Sequence, residues 1–325
     1  MSSSSGKLVH QKEYIFKAIQ REISSNDSCL DVKELCELAG VSRSGYYRYI
    51  SEAASQHRLQ SEDRDLRDFA LIKQAYDFRG YTKGYRSICM RLVRMGTPMN
   101  HKKVIRLMRK YGLKCPIRKA NPYRRMAKAL KTNAVAPNHV QRQFKSRGPR
   151  QVLLTDITYI RLNDAFCYLS VIIDAYTMQV LAFQLSESLE IDFVLETVRQ
   201  LMRNHLYSLN ATTFIHSDQG CHYTSVKFRD LVNDTILTQS MSRRGNCWDN
   251  APQESFFGHM KDELSPYIKT WKTFDDVQNR INDWINYYNN DRYQVQLQGM
   301  APNEYYHYKV TNQLPSALAI NTAKK

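Results

Sequence analysis

Three carboxylates in this sequence have the types, order and surroundings to do phosphoryl chemistry. Asp156 lies inside the apolar run VLLTDITYI (152–160), Asp218 follows the apolar run TTFIH (212–216), and Glu254 opens a helical stretch just after Asn250 and Pro252. Between them stand 61 residues in the first interval and 35 in the second. A carboxylate inside a buried strand costs on the order of several kcal/mol unless a cation neutralises it. Asp218 sits at the carboxyl end of its strand, where open α/β sheets place their sites. Hard divalent cations take oxygen ligands, and a pair of them roughly 3.5–4 Å apart activates an attacking oxygen while stabilising a leaving one. Asp156, Asp218 and Glu254 are therefore expected to be both catalytic residues and ligands of two Mg²⁺ per active site, with Mn²⁺ able to substitute.

The residues around this set divide into assistants and structural supports. Lys261 falls seven positions after Glu254, about 700° around a helix and so on the same face, where it would hold a phosphate; the bland alternative is a solvated lysine. Phe256, Phe257, Met260 and Leu264 form the opposite, apolar face. Arg243, Arg244 and Gly245 form a basic approach to the Glu254 helix that would track DNA, or else an ordinary connection. Trp248 would stack on a base or wedge a duplex, or else anchor the helix in the core. Asn250 reads as the helix cap, with Pro252 in the first turn. His216 and His222 flank Asp218 without completing a zinc set, and read as structural.

The elements that must position these groups follow from the patterning after residue 150. VLLTDITYI, FCYLSVIIDAYT (166–177) and VLAFQLS (180–186) are rich in β-branched and aromatic residues and predict a three-stranded meander. A helix over 191–206, the strand before Asp218, a helix near 224–234, the strand LTQSMS and the helix carrying Glu254 complete the order. The chain has 325 residues and 42% hydrophobic composition, enough for two or three domains, and its 47 Lys+Arg against 31 Asp+Glu give a net charge of +16. Disordered and fibrous classes are excluded by that composition. No run approaches the ~18 apolar residues of a membrane span and no signal peptide is apparent, so a cytoplasmic location is expected. Seven scattered cysteines without a C-x-x-C spacing indicate neither a disulfide framework nor a zinc site.

The charge is segregated. Residues 1–150 carry +20 and residues 151–325 carry −4; residues 101–150 hold 16 Lys+Arg and no acid. A polyanion partner is the natural inference, against a merely solvated basic region. Within DVKELCELAGVSRSGYYRYI (31–50), Val32, Leu35, Cys36 and Leu38 mark one short helix. Ser42 caps a second that would project Arg43, Ser44, Tyr46, Tyr47 and Arg48 toward DNA, unless the pair is a plain helical hairpin. A second such unit has Tyr85, Ile88, Cys89 and Leu92 on its first helix. Asn100 caps the next, which would bury Val104, Leu107 and Met108 and turn Lys102, Lys103, Arg106, Arg109 and Lys110 outward. From 114 to 150, four prolines interrupt any long element, and Arg124 and Arg125 belong to a basic linker that follows a phosphate backbone.

TDITYI, HSDQG, SMSRRGNCWDNAPQESFFGHMKDE and YYNNDR resemble the transposases of the bacterial insertion-sequence family three, in the branch typified by element one-fifty. GYRSICMRLVRMGTPMNHKKVIRLMRKYGL resembles that family's helix-turn-helix segment, and VSRSGYYRY a shorter preceding one. The resemblance covers nearly the whole chain. It implies an RNase H-like, retroviral-integrase-like α/β catalytic core preceded by all-α helix-turn-helix regions. Mg²⁺-dependent nicking at an element end, with attack by the freed 3′-hydroxyl on another strand, is the implied chemistry. The implied partners are double-stranded DNA, as terminal inverted repeats and target, and a second copy of the chain in an assembly at least dimeric on DNA. An upstream reading-frame product is a further partner, and the nucleoid of a bacterium the place of action. Arg292, Tyr293 and Gln294 depart from a family pattern that carries a histidine there, and no heptad run is visible in residues 1–60. The domains expected are a helix-turn-helix (1–55), a second such helical domain (56–113), the basic linker (114–150), the catalytic core (151–308) and a tail (309–325). Two competing functions predict different outcomes. A DNA-binding regulator without activity would bind tightly and not cut, and an RNase H-type nuclease would cleave RNA–DNA hybrids.

Overall fold

A computed structural model of the chain describes residues 4–25, 30–81, 83–115, 136–140, 144, 146–242 and 250–322. It divides into two compact units, Met1–Leu71 and Ile72–Lys325. The first contains α1 (Ser4–Ser24), α2 (Val32–Leu38), α3 (Arg43–Ile50) and most of α4 (Glu52–Asp77), which carries the boundary. Asp31 and Glu34 close a capping box on α2, with bonds of 2.8 and 2.9 Å. Gly40, at φ +64°, turns the chain, and the Ser42 hydroxyl accepts from the Gly45 amide at 3.2 Å to start α3 as expected. The small core of this unit is Phe16, Ile19, Leu35, Cys36 and Tyr46.

Two expectations change here. Leu38, expected on the buried face of α2, is 82% exposed, because α1 and α3 close over Leu35 and Cys36 instead. Tyr46, expected to reach DNA, is 3% exposed, its ring centroid 6.1 Å from that of Phe16. A helix of 8 residues turned wholly toward DNA would have nothing to pack with, and α1 supplies the missing partner surface. Arg43, Tyr47 and Arg48 are exposed on the same helix.

The second unit begins with the end of α4, then α5 (Tyr85–Arg94) and α6 (His101–Lys110). Residues 72–113 thus belong to the same compact unit as the core that follows. Asn100 caps α6 through its side-chain oxygen, which accepts from the Lys102 amide at 2.9 Å. Val104, Leu107 and Met108 are buried, while Lys102, Arg106, Arg109 and Lys110 are exposed and Lys103 is half-buried. This is the amphipathic division the spacing predicts.

The catalytic half is a five-stranded sheet. Its strands are β1 (Val152–Leu162), β2 (Ala165–Asp174), β3 (Val180–Ser186), β4 (Phe214–Ser217) and β5 (Thr238–Met241), in the order β3-β2-β1-β4-β5. The first three form the expected antiparallel meander, and β4 and β5 add in parallel beside β1. Before β4 comes α7 (Asp192–His205), and before β5 come α8 (Cys221–Thr224) and α9 (Val226–Asn233). After the sheet come α10 (Ala251–Leu264), α11 (Phe274–Asn290), α12 (Pro302–Thr311) and α13 (Ser316–Thr322). Because successive strand residues point to opposite faces, Leu154, Val171 and Ile173 join a layer with Phe256, Met260, Ile281 and Trp284. Leu153, Ile172 and Leu181 join another with Val194, Val198, Phe228 and Val232. Helices on both faces of a 3-2-1-4-5 sheet give the RNase H-like α/β arrangement expected. Among the described residues no helix is long and apolar enough to cross a membrane.

Candidate active site

The sheet brings the two aspartates level. In the parallel pairing of β1 with β4, Leu153 faces Ile215 and Leu154 faces His216; Asp156 and Asp218 each come two residues later along adjacent strands. The His216 ring is held from behind by Ser240, with Nδ1 2.9 Å from the hydroxyl oxygen. His222 is held by the Leu189 carbonyl, 2.7 Å from Nε2, so both histidines serve the frame as expected. Asp218 is exposed, with its Oδ1 accepting from the Gly220 amide at 2.8 Å. A Cβ on Gly220 would stand 2.9 Å from that same Oδ1, so a side chain there would make the Asp218 carboxylate shift.

Asp156 has the stronger perturbation. Burial pushes its carboxyl up to about 7, and the neighbouring negative charges of Asp218 and Glu254 push the same way. The Ile157 amide, donating to Oδ1 at 2.8 Å, and the cation of Lys261 pull in the other direction. Three other predicted site residues, Asp218, Glu254 and Lys261, therefore act electrostatically on Asp156. Glu254 is exposed in the first turn of α10, and Lys261 is half-buried two turns further on. Phe256, Phe257, Met260 and Leu264 are all buried, as their register requires, which pins α10 on the sheet.

Three neighbours of the carboxylates carry no such signal in the sequence. Asn250 occupies the N-cap position of α10 but makes no side-chain cap; it is 6% exposed, and its Nδ2 lies 3.5 Å from Asp156 Oδ2. Its Oδ1 is buried without a hydrogen-bond partner in the described structure. The cap expectation is corrected accordingly: the position holds, but the amide serves the carboxylate. Gln253 is fully buried and donates to the Val171 carbonyl at 3.4 Å. Tyr223, 2% exposed, stands 3.4 Å from the Thr155 hydroxyl, and burial, with the charges of Asp156 and Asp218 adding to it, raises its phenol well above the usual range. The spacing of Tyr223, five residues after Asp218, was its one available hint.

The donor set suits a hard divalent cation: all-oxygen, anionic, and penalised for its charge in the absence of a counter-ion. Among the described residues no three His, Cys, Asp or Glu side chains are gathered into a ready set of metal ligands. The repulsion recorded in the Asp156 shift opposes such gathering by the carboxylates alone. Arg243, Arg244 and Trp248, and Arg124 and Arg125 of the linker, lie outside the described residues. Arg292 is turned away to other work. Its Nε donates to Glu263 Oε1 at 2.9 Å, while the Trp284 indole donates to Oε2 at 2.9 Å.

The chain matches the family described as Integrase core domain over residues 146–247 and, in a second such family, over 254–309. It matches the family described as HTH-like domain over 62–121. It is 32% identical to the putative transposase InsK for insertion sequence element IS150 of Escherichia coli (strain K12), across 84% of this chain and 92% of that protein. It is 31% identical to the insertion element IS600 uncharacterized 31 kDa protein of Shigella sonnei, across 84% of this chain and 98% of that one. Among solved structures, it is similar to the HTLV-2 integrase catalytic core domain in complex with magnesium. That likeness has 16% identity and a TM-score of 0.39, and covers 50% of this chain and all of that one.

Proposed function

The chain belongs to the DNA transposases of insertion-sequence family three, and from that membership we propose that Asp156, Asp218 and Glu254 carry its polynucleotidyl transfer. The observation behind this assignment is the register of β1 with β4, which sets Asp156 beside Asp218 where β4 ends, with the start of the Glu254 helix reaching Asp156 through Asn250. The three carboxylates would hold two divalent cations, Mg²⁺ or Mn²⁺, which supply activation of the attacking oxygen and charge stabilisation at the leaving one. Asn250 steadies the Asp156 carboxylate through its amide N–H. Lys261 offers its ammonium to a DNA phosphate on the groove side of α10. Phosphoryl transfer at such a site needs little covalent chemistry from the protein, so positioning and charge account for the rate.

DNA is the substrate and the ligand of the basic helices. Arg43 and Arg48 on α3 and Lys102, Lys103, Arg106 and Arg109 on α6 would hold terminal repeats. Arg124, Arg125, Arg243, Arg244 and Trp248 would follow the strand toward the site. A second copy of the chain, in a complex at least dimeric, would bring two ends together. The functional regions proposed are 1–55, 56–113, 114–150, 151–308 and 309–325, with 72–113 folded into the same compact unit as the core, acting at the nucleoid with or without an upstream reading-frame product.

The test is metal-dependent cleavage of labelled end DNA by the natural chain and by Glu254→Gln. The expected result is loss of at least about a thousandfold in cleavage with binding nearly unchanged, since the substitution removes a metal-binding oxygen charge and no DNA contact. Equal cleavage by both chains would overturn the assignment of Glu254.

A further inference from the structure

Several arginines and a tyrosine in and just before the α5 segment are spent on contacts inside the second unit. Arg94 Nη2 lies 2.6 Å from Glu304 on α12, and its side chain is only 7% exposed. The same nitrogen donates to the Gly299 carbonyl at 3.3 Å. Arg91 donates to the Tyr293 hydroxyl at 3.2 Å and stands 3.8 Å from Asp291. Arg79 reaches Asp291 at 3.3 Å and Asp283 at 3.5 Å. The acidic partners all come from the stretch that follows Glu254, so the basic and acidic halves of the sequence meet at this seam.

The turn entering α5 is shaped for the same seam. Arg79 has φ +60° and Gly80 φ +71°, a backbone that an arginine adopts at a cost and that its two carboxylate partners hold in place. The Tyr267 hydroxyl donates to the Gly80 carbonyl at 2.7 Å, and a Cβ on Gly80 would stand 2.8 Å from that hydroxyl. Tyr81, 1% exposed, stacks on Tyr287 at 4.7 Å and donates to Asp283 at 2.6 Å. Lys83, itself 5% exposed, gathers the carbonyls of Tyr76, Phe78 and Tyr81 around its ammonium. A loosely tethered DNA-binding module would need none of this.

We propose that α5 and α6 form an arm fixed to α11 and α12, and through α11 to the sheet on which it packs, which sets one spacing between the DNA gripped by α6 and the phosphodiester offered to Asp156, Asp218 and Glu254. Arg79, Arg91 and Arg94 are then positioning residues that specify where the strand is cut, not DNA ligands. The inference rests on the transposase reading above for its substrate, and on the seam for its geometry. A displacement of about 1 Å at a reacting centre is enough to cost on the order of a hundredfold, so a slack arm would both lower and scatter cleavage.

The test compares the full chain with Arg79→Ala/Arg94→Ala and with the charge-keeping Arg79→Lys/Arg94→Lys, since Glu304 also accepts from the Ala301 amide and must stay. Cut positions on labelled end DNA are mapped at single-nucleotide resolution, and amide hydrogen exchange is followed over 83–113. The expected result for the double alanine variant is faster exchange and binding within about twofold, because the phosphate contacts on α6 remain. Its cuts should spread over neighbouring positions at a yield lowered about tenfold or more, and the double lysine variant should keep the natural position and most of the yield. Unchanged exchange, or faster exchange with cuts still confined to the natural position, would overturn the proposal. A natural chain that binds ends and never cuts would count against the transposase chemistry instead, and the exchange measurement would still decide whether the arm is held by these arginines.

Discussion

At the scale of single residues, a side chain's neighbours decide its role more than its type does. Asp156 and Tyr46 show this in opposite directions. Asp156 has a raised carboxyl, to about 7, through burial and the charges of Asp218 and Glu254. A raised acid binds its proton more tightly folded than unfolded, so this contribution to stability is complete below the ordinary carboxylate range and is lost as pH rises toward 7. In metal-free buffer, Asp156→Asn should therefore flatten the fall in stability across that window and stabilise the chain at pH 8 by about 2 kcal/mol. Urea unfolding of both chains at pH 5 and pH 8 checks it, and an equal pH dependence in the two would contradict the electrostatic account. Tyr46, buried against Phe16, is worth more to the first unit than to DNA. Tyr46→Ala should cost about 3 kcal/mol in thermal or urea unfolding of residues 1–71. Tyr47→Ala, at a ring 54% exposed, should leave stability alone and weaken DNA binding. The sequence could not separate these two adjacent tyrosines, because the surface that buries the first comes from α1, whose packing leaves no mark within α3. Asn250 was hidden for another reason: an asparagine before a helix looks the same whether it caps the helix or faces a carboxylate.

At the scale of elements, the periodic signals served well and the long-range ones did not. The meander, the burial of the Phe256–Leu264 face of α10 and the cap and basic face of α6 were legible, because each rests on residues close together in the chain. The seam between α5 and α12 was not, since an arginine bound for Glu304 and one bound for phosphate have the same local surroundings. On α6, replacing Lys102 and Arg106 together by alanine should weaken DNA binding and reduce the slope of log K against log salt by about 2, read from titrations at several salt concentrations. An unchanged slope would remove α6 from the DNA interface. At the turn before α5, Gly80→Ala meets both a positive φ and the Tyr267 hydroxyl, and should destabilise the second unit by about 2 kcal/mol in urea unfolding. An unaltered midpoint would show that the turn yields freely.

At the scale of the whole molecule, charge and fold divide the labour. The first 150 residues carry +20 and the remainder −4, an arrangement that concentrates a polyanion on one part of the chain while an anionic carboxylate set waits on another. Carboxylates repel DNA, so the proposed reading gives binding and chemistry to different residues. The family match extends this division across the helical segment, 62–121, and the two core segments, 146–247 and 254–309. A regulator with the same fold would keep the binding half and lose the joining step, so joining is the activity that separates the two readings. The most direct measurement is incubation of the purified natural chain and Glu254→Gln with Mg²⁺ and a supercoiled plasmid carrying the DNA that flanks the gene, followed by sequencing of any new strand junctions. The account predicts junctions between element ends with the natural chain and none with Glu254→Gln, while both retard the end DNA equally in gels. Junctions formed equally by both, or by neither while both bind, would contradict it.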